Sequence, residues 1–155
     1  MQEVYDVSAR TISVKSEDCD LMASIAEEGP RHSWASYITG HNIARNDILN
    51  MIPAHRFLIR YPLDKIPPGQ RITNAEWSFL VGSVTTNSRL FVWRLLVDWG
   101  PGVNYFYRRL RPTPILWSVP GAQGSATDRA MRPTAIVTIQ QQGEQTVNVT
   151  EDVEL

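Results

Sequence analysis

The chain has 155 residues, with 15 lysines and arginines against 16 aspartates and glutamates and a formal net charge of −1. That length suits one domain with its own core, and the near-neutral charge argues against a general field that attracts nucleic acid or anionic membranes. The single cysteine, Cys19, excludes an internal disulfide, and the chain contains no run of 18 apolar residues for membrane insertion.

Apolar side chains recur at every second residue in several stretches, which is the spacing of one face of a β-strand. Turn-forming sequences such as IPPGQ, WGPG and VPGAQG separate these stretches, and only ITGHNIARNDILNM could hold a helix, a short one. Many strands joined by loops predict an all-β fold, an antiparallel β-sandwich with long loops, in one domain over residues 1–155. The predicted strands lie in RTISVK, HRFLIRY, NAEWSFLVG, RLFVWRLLVD, TAIVTIQ and QTVNVTED.

The shared faces of these strands predict the core. The stretch RLFVWRLLVD is apolar on both faces, which is typical of a strand that is buried on both sides. We expect the core to contain Phe57, Ile59, Trp77, Phe79, Phe91, Trp93 and Leu95.

Signatures of catalysis are missing from the sequence. There is no Gly-x-Ser-x-Gly elbow for a nucleophilic serine and no glycine-rich phosphate loop. His32, His41 and His55 are scattered and fit surface or packing roles. We therefore predict that the chain is not an enzyme and requires no cofactor.

Three carboxylates, Glu17, Asp18 and Asp20, cluster near the start of the chain. A solvated face is the interpretation that this pattern favours. The alternative is a site for a hard cation such as Ca²⁺, since carboxylates on loops offer the oxygen ligands that this ion takes.

The segment LLVDWGPGVNYFYRRL is crowded with aromatic and basic side chains. Aromatic rings stack on the apolar faces of sugars, and polar side chains bond to their hydroxyl groups, so a sugar-binding loop is one interpretation. Packing at the end of the sandwich is the other. The candidate ligand-binding residues are Trp99, Tyr105, Tyr107, Arg108, Arg109 and Arg111, together with Trp117.

The order of motifs resembles the DNRLRE domain, also called the disaggregatase-related repeat. HRFLIRYPLDKIPPGQRITNAEWSFLV is similar to a family stretch in which a strand meets an Ile-Pro-Ala-Gly turn and a second strand follows. Further on, the family has five elements in a fixed order. They are Asp-Trp, a glycine turn, an aromatic-Arg segment, a Trp followed by Pro-Gly, and an acidic residue. In this chain they correspond to Asp98-Trp99, residues 100–102, residues 104–108, Trp117 with Pro120-Gly121, Asp128 and the closing strand VNVTEDV.

The resemblance implies a jelly-roll β-sandwich from a large secreted or cell-surface protein, without catalysis, classed with carbohydrate-binding modules. Trp99 and Trp117 match family positions that clasp loops. An arginine fork beside aromatic rings suits a uronate or sulfate group, so an acidic polysaccharide is the predicted partner. The alternative is a structural or assembly domain that docks to another protein chain through the same loop.

The resemblance stops at VNVTEDVEL, where the family would continue into its last strands. An unpaired strand edge accepts a further strand. We expect either another polypeptide to supply the missing strands or MQEVYDVSAR, with Val4 and Val7, to fold back into that place.

Overall fold

A computed structural model describes residues 10–14, 21–26, 38–39, 55–100 and 102–153. Within these residues the protein is all-β, with antiparallel strands and no α-helix, which confirms the predicted fold class. A short 3₁₀ helix, Thr150–Val153, follows the last strand. The strands are β1 Leu21–Ala26, β2 Ile38–Thr39, β3 His55–Arg60, β4 Glu76–Val81, β5 Ser88–Val92, β6 Tyr107–Arg109, β7 Ile115–Leu116, β8 Ala135–Ile139 and β9 Gly143–Asn148.

The strands pair in a nested order. β4 pairs with β9, β5 with β8 and β6 with β7, while β1 pairs with β3 on one edge and β2 on the other. Val81 lies opposite Gly143 and Ser88 opposite Ile139, so residues 82–87 and 140–142 connect two ladders at the same end. The two-sheet sandwich itself stays a prediction, because the described strands form separate sheets of two or three strands.

In β4, alternate side chains point inward as the period of two predicts. Trp77, Phe79 and Val81 are half-buried, whereas Leu80 is 78% exposed. The rings of Trp77 and Phe79 stack with centroids 4.6 Å apart, and the Trp77 indole N–H donates to the hydroxyl of Tyr61 at 3.2 Å. The predicted period of two is therefore confirmed in β4, while Trp77 and Phe79 are half-buried and lie outside the buried cluster.

The expected inner face of β5 is wrong. Phe91 is 45% exposed and lies opposite Ile136, which is 52% exposed, while Leu90 and Val92 are half-buried. Both faces of this stretch are apolar, so periodicity alone does not choose between them. Pairing with β8 decides, because it places Leu90 opposite Val137 on the inner side.

Six of the buried hydrophobic side chains form one cluster that joins strands and loops. In β3 the buried residue is Leu58, at 5% exposed, and the expected core residues Phe57 and Ile59 are only half-buried. Half-buried Leu95 and Val97 pack against the cluster. Its buried members are Ile25, Leu58, Trp99, Val103, Trp117 and Ala122.

At two of the predicted strands the structure differs from the prediction. Residues 10–14 form no strand, and Ile12 is 42% exposed, because they pair with no ladder in the described part of the chain. The closing strand ends at Asn148, where Thr150 donates its hydroxyl to the Asn148 side chain at 2.8 Å and the chain turns into the 3₁₀ helix. Of the segment considered for a helix, Ile38–Thr39 is strand β2, and residues 40–51 lie outside the described residues.

An open trough borders β3, β4 and β5, and residues from both faces of β4 and β5 line it. Trp77, Phe79 and Leu90 contribute apolar walls, and residues 10–14 lie along it.

Candidate functional site

Two loops, residues 98–100 with 102–106 and residues 117–128, are joined through Trp117. Its indole N–H donates to the carbonyl of Asn104 at 2.9 Å, and its backbone N–H donates to the carbonyl of Phe106 at 3.1 Å. Trp117 is 3% exposed and Trp99 is 4% exposed. We call this pair of joined loops the clasp.

Asn104 shapes the first loop of the clasp. Its side-chain oxygen accepts hydrogen bonds from the backbone N–H groups of Phe106 and Tyr107, at 2.9 and 3.0 Å, and its amide donates to the carbonyl of Gly102. Asparagine favours such turns because its short side chain replaces a backbone partner. Gly102 has φ of 78°, and a methyl group there would lie 2.7 Å from Cβ of Leu110, so only glycine fits.

Asp128 holds the second loop together. The carboxylate is 2% exposed and accepts backbone N–H groups from Ser118, Val119 and Gly124 at 2.8, 2.9 and 3.0 Å. The Ser118 hydroxyl also donates to it at 3.1 Å. Burial alone would raise the pKa of Asp128, but these four hydrogen bonds outweigh burial and lower the pKa below its usual value.

The tryptophans of the clasp are not presented to solvent. Trp99 and Trp117 were expected among the ligand-binding residues, but both rings are in the buried cluster and offer no face for a sugar to stack on. This corrects that expectation. Their position follows from packing, since the two bulky rings fill the space between the loops and the β1–β3 sheet.

The tyrosines of the predicted site lie at the rim of the clasp. Tyr105 is half-buried, contacts Phe106 edge to face with centroids 5.2 Å apart, and accepts the Gly121 N–H at its carbonyl at 2.6 Å. Tyr107 opens β6 and is also half-buried. Both residues are thus partly accessible to solvent.

Asp98 is contacted by two arginines from different parts of the chain. Nη1 of Arg60 lies 3.0 Å from Asp98 Oδ1, in an ion pair that is largely exposed. Nη1 of Arg108 donates to the backbone carbonyl of Asp98 at 2.7 Å. The Arg60 guanidinium also lies 5.9 Å from the ring centre of Trp99.

Arg109 and Arg111 differ in their surroundings. The stem of Arg109 packs beside Gly100, and its Nε is buried without a hydrogen-bond partner among the described residues. Arg111 is exposed at the end of β6. The structure thus brings Tyr105, Tyr107, Arg108 and Arg109 to one region next to the clasp.

Sequence reasoning missed two arginines that the fold adds to this region. Arg56 and Arg60 come from β3, so both are distant in sequence from the aromatic loop, but Arg56 lies beside Tyr105 at Gly121 and Arg60 pairs with Asp98. No local pattern marks them, since ordinary arginines in strands look the same.

The predicted cation ligands, Glu17, Asp18 and Asp20, lie outside the described residues. In the part of the chain that the structure describes, no group of three or more His, Cys, Asp or Glu side chains is placed to hold a metal ion. No helix within the same residues is long and apolar enough to cross a membrane.

The chain matches no protein-family model, no curated protein and no solved structure.

Proposed function

We propose that this protein is a non-catalytic carbohydrate-binding module of a secreted or cell-surface protein, and that it binds acidic polysaccharide. One observation carries the proposal, the excess of arginine beside the clasp. Arg60 pairs with the Asp98 carboxylate, Arg108 donates to the Asp98 backbone carbonyl, and the stem of Arg109 packs beside Gly100. Such a surface favours a polyanion over a neutral chain.

The chemistry of these side chains fits a uronate or sulfate group. A guanidinium presents two parallel N–H donors that match a planar carboxylate. Tyr105, which is partly exposed, adds an aromatic side chain that can contact a sugar ring. Arginine and tyrosine together recognise both parts of an acidic sugar.

The surroundings of the nearby carboxylates support a binding role without catalysis. Asp128 is buried, and its four donors favour the ionised form, so it is a poor general acid. Asp98 is engaged by Arg60. A glycosidase needs two carboxyl groups that face a shared cleft with separated pKa values, and these two do not meet that need.

The resemblance to the DNRLRE domain supports the same function. The Asp-Trp, Trp-Pro-Gly and acidic elements that carry it supply Trp99, Trp117 and Asp128, which the fold joins in the clasp. The nested pairing of β4–β9, β5–β8 and β6–β7 is also the winding order of a jelly roll. We propose that the closed sandwich is of this type.

The test is affinity electrophoresis of the full chain in gels that contain polygalacturonate, alginate, or a neutral glucan as the control polymer. We expect retardation by an acidic polymer that is lost in Arg108→Ala/Arg109→Ala and kept in Arg132→Ala, which removes an exposed arginine elsewhere. Circular dichroism verifies that the double variant is folded. Equal mobility of the wild type with and without every polymer would contradict the proposal.

A second candidate is an assembly domain, favoured by the open trough and by the exposed apolar pair Phe91 and Ile136. In that case a strand from another chain would add to a sheet edge and cover apolar surface. Light scattering of the isolated chain distinguishes the two. A stable monomer with protected amides in β9 argues against assembly, whereas defined oligomers that dissociate in Phe91→Glu support it.

A further inference from the structure

The triplet Asn148-Val149-Thr150 lies at the end of strand β9, and the clasp does not use it. An asparagine that is followed two residues later by serine or threonine, with no proline between them, is the acceptor sequence for an N-linked glycan. The chain has seven asparagines, and only Asn148 meets this pattern. A pattern of three residues also occurs by chance, so the surroundings of Asn148 decide whether a glycan fits.

The surface around Asn148 is polar and open. Asn148 is exposed on the outer face of β9, and Glu76, its pairing partner in β4, is exposed as well. The next pair on the same face, Ser78 and Thr146, is exposed, with the two hydroxyl groups 2.9 Å apart. A bulky, hydrophilic glycan suits such a surface, because it displaces no apolar contact.

Hydrogen bonds with Thr150 orient the side-chain amide of Asn148. Oδ1 of Asn148 accepts the backbone N–H of Thr150 at 3.1 Å and the Thr150 hydroxyl at 2.8 Å. A backbone N–H only donates, so the atom that faces it is the oxygen, and Nδ2 is directed to the other side. This asparagine turn holds the two residues of the triplet that define an acceptor next to each other.

The nitrogen of the Asn148 amide has a hydrogen to spare. An asparagine Nδ2 carries two N–H groups, and here it donates to Oδ1 of Asn74 at 3.0 Å, its one acceptor among the described residues. An N-linked sugar replaces one hydrogen on Nδ2 and leaves the other. The fold therefore accommodates a glycan while the bond to Asn74 is kept.

We propose that Asn148 is the acceptor site of an N-linked glycan. The donor is an oligosaccharide linked to a lipid through pyrophosphate, and a glycosyltransferase carries out the transfer. Nδ2 of Asn148 forms a bond to the anomeric carbon of the first sugar, and the bond from that carbon to the phosphate oxygen breaks. The lipid pyrophosphate leaves with the electron pair, and Nδ2 releases one proton to a base of the transferase.

The stage at which the sugar is added follows from Thr150. Thr150 is half-buried, and its hydroxyl accepts the backbone N–H of Ala75 at 2.9 Å. The transferase has to reach Thr150 as well as Asn148, so the sugar is added to the growing chain before β9 pairs with β4. The site rests on the secreted or cell-surface location in the proposed function, because this transfer takes place on chains that leave the cytosol. It does not depend on the binding of polysaccharide.

Expression of the full chain behind a cleavable secretion leader, in cells that add N-linked glycans, tests the proposal. We expect the intact mass of the secreted chain to increase by one glycan. Peptide N-glycosidase in heavy-oxygen water should remove the glycan and leave a labelled aspartate at position 148. The increase should be absent in Asn148→Gln. It should be kept in Thr150→Ser, which retains the hydroxyl, and in Asn87→Gln, which removes an exposed asparagine outside the triplet.

A gain of a second site provides the positive control. Arg89→Thr places an acceptor triplet at Asn87-Ser88, where Asn87 is exposed just before β5. This variant should carry two glycans where the wild type carries one. A secreted wild-type chain without a glycan overturns the proposal, and so does a glycan that persists in Asn148→Gln.

The polysaccharide gel separates this proposal from the proposed function. Asn148→Gln should be retarded by acidic polymer as the wild type is, and circular dichroism verifies that the variant is folded. A chain that carries the glycan but binds no polymer contradicts the proposed function and supports the acceptor site. A chain that binds polymer and receives no glycan contradicts the acceptor site alone.

Discussion

The indole N–H of Trp117 donates to the backbone carbonyl of Asn104, 2.9 Å away and 13 residues earlier in the chain. That bond joins the two loops of the clasp at a point where both residues are buried. A buried carbonyl without a donor destabilises the fold, so Trp117 has a role that an apolar ring of similar size does not replace.

Replacing Trp117 separates packing from hydrogen bonding. Trp117→Phe keeps most of the ring but leaves the Asn104 carbonyl without its donor, and we expect a loss of about 1–3 kcal/mol in the free energy of unfolding. Trp117→Ala also creates a cavity, for a loss of about 3–5 kcal/mol. Urea unfolding measures both. Leu116→Ala, at a neighbouring side chain that is 60% exposed, is the control and should change stability by about 0.5 kcal/mol or less. Equal stability of Trp117→Phe and the wild type would show that the bond contributes nothing.

Gly124 and Gly82 form a matched pair for a second test. A methyl group on Gly124 would overlap Ser118 Oγ and Thr127 Oγ1 and would lie 2.6 Å from Asp128 Oδ2, whereas a methyl group on Gly82 meets no atom within 4 Å. We expect Gly124→Ala to lower the melting temperature strongly and Gly82→Ala to leave it nearly unchanged, because only the first substitution breaks the Asp128 network. Differential scanning calorimetry measures both. The Asp128 arrangement is contradicted by equal melting temperatures for the two variants.

We expect the ionisation of Asp128 to contribute to the pH dependence of stability. Its pKa is lowered in the folded protein, so its contribution is complete above the unfolded pKa of about 3.9 and is lost as pH falls through the folded value. Asp128→Asn places an amide against backbone donors, and we expect a loss on the order of 3 kcal/mol at neutral pH. The difference in free energy of unfolding between Asp128→Asn and the wild type should become smaller at acid pH. Urea unfolding across pH measures it, with the exposed Asp64→Asn as the control. If this difference in free energy of unfolding stays constant from neutral pH to strong acid, the lowered pKa of Asp128 does not contribute to stability and the prediction is wrong.

We expect the pH dependence of the stability contributed by Asp152 to be opposite to that of Asp128. Burial raises the pKa of Asp152, although Thr134 donates its hydroxyl to both carboxylate oxygens at 2.8 Å and Arg94 lowers the pKa. A carboxyl group with a raised folded pKa stabilises the fold most when protonated, and that contribution is lost as pH rises through the folded value. We therefore expect Asp152→Asn to equal or exceed the wild type in stability at neutral pH. The same pH series measures it, and a marked loss of stability in Asp152→Asn at neutral pH would contradict the expectation.

Burial predicts that Leu58 contributes more to the free energy of unfolding than the larger Phe91 does. Leu58 is 5% exposed within the buried cluster, so Leu58→Ala should lower the free energy of unfolding by about 2–5 kcal/mol. Phe91 is 45% exposed on the outer face of β5, so Phe91→Ala should lower it by about 1 kcal/mol or less. Chemical denaturation ranks the two. The reverse order would restore the sequence-based assignment of Phe91 to the core.

The sequence by itself determined where several strands form and which face of β4 is inner. Trp77 and Phe79 alternate with the polar residues Glu76 and Ser78, so the period of two identifies both the strand and its apolar side without knowledge of a partner. The turns rich in glycine and proline likewise depend on local backbone preferences. These features are local, and a local pattern suffices to predict them.

Tertiary structure decided the face of β5, the burial of Leu58 and the composition of the candidate site. Phe91 and Leu90 are equally apolar, and only pairing with β8 determines which of them points inward. Arg56 and Gly121 are 65 positions apart in the sequence, yet Nη1 of Arg56 lies 2.9 Å from the point that a methyl group on Gly121 would occupy. No local pattern predicts such contacts, because the interactions that hold these residues together act between segments that are distant along the chain.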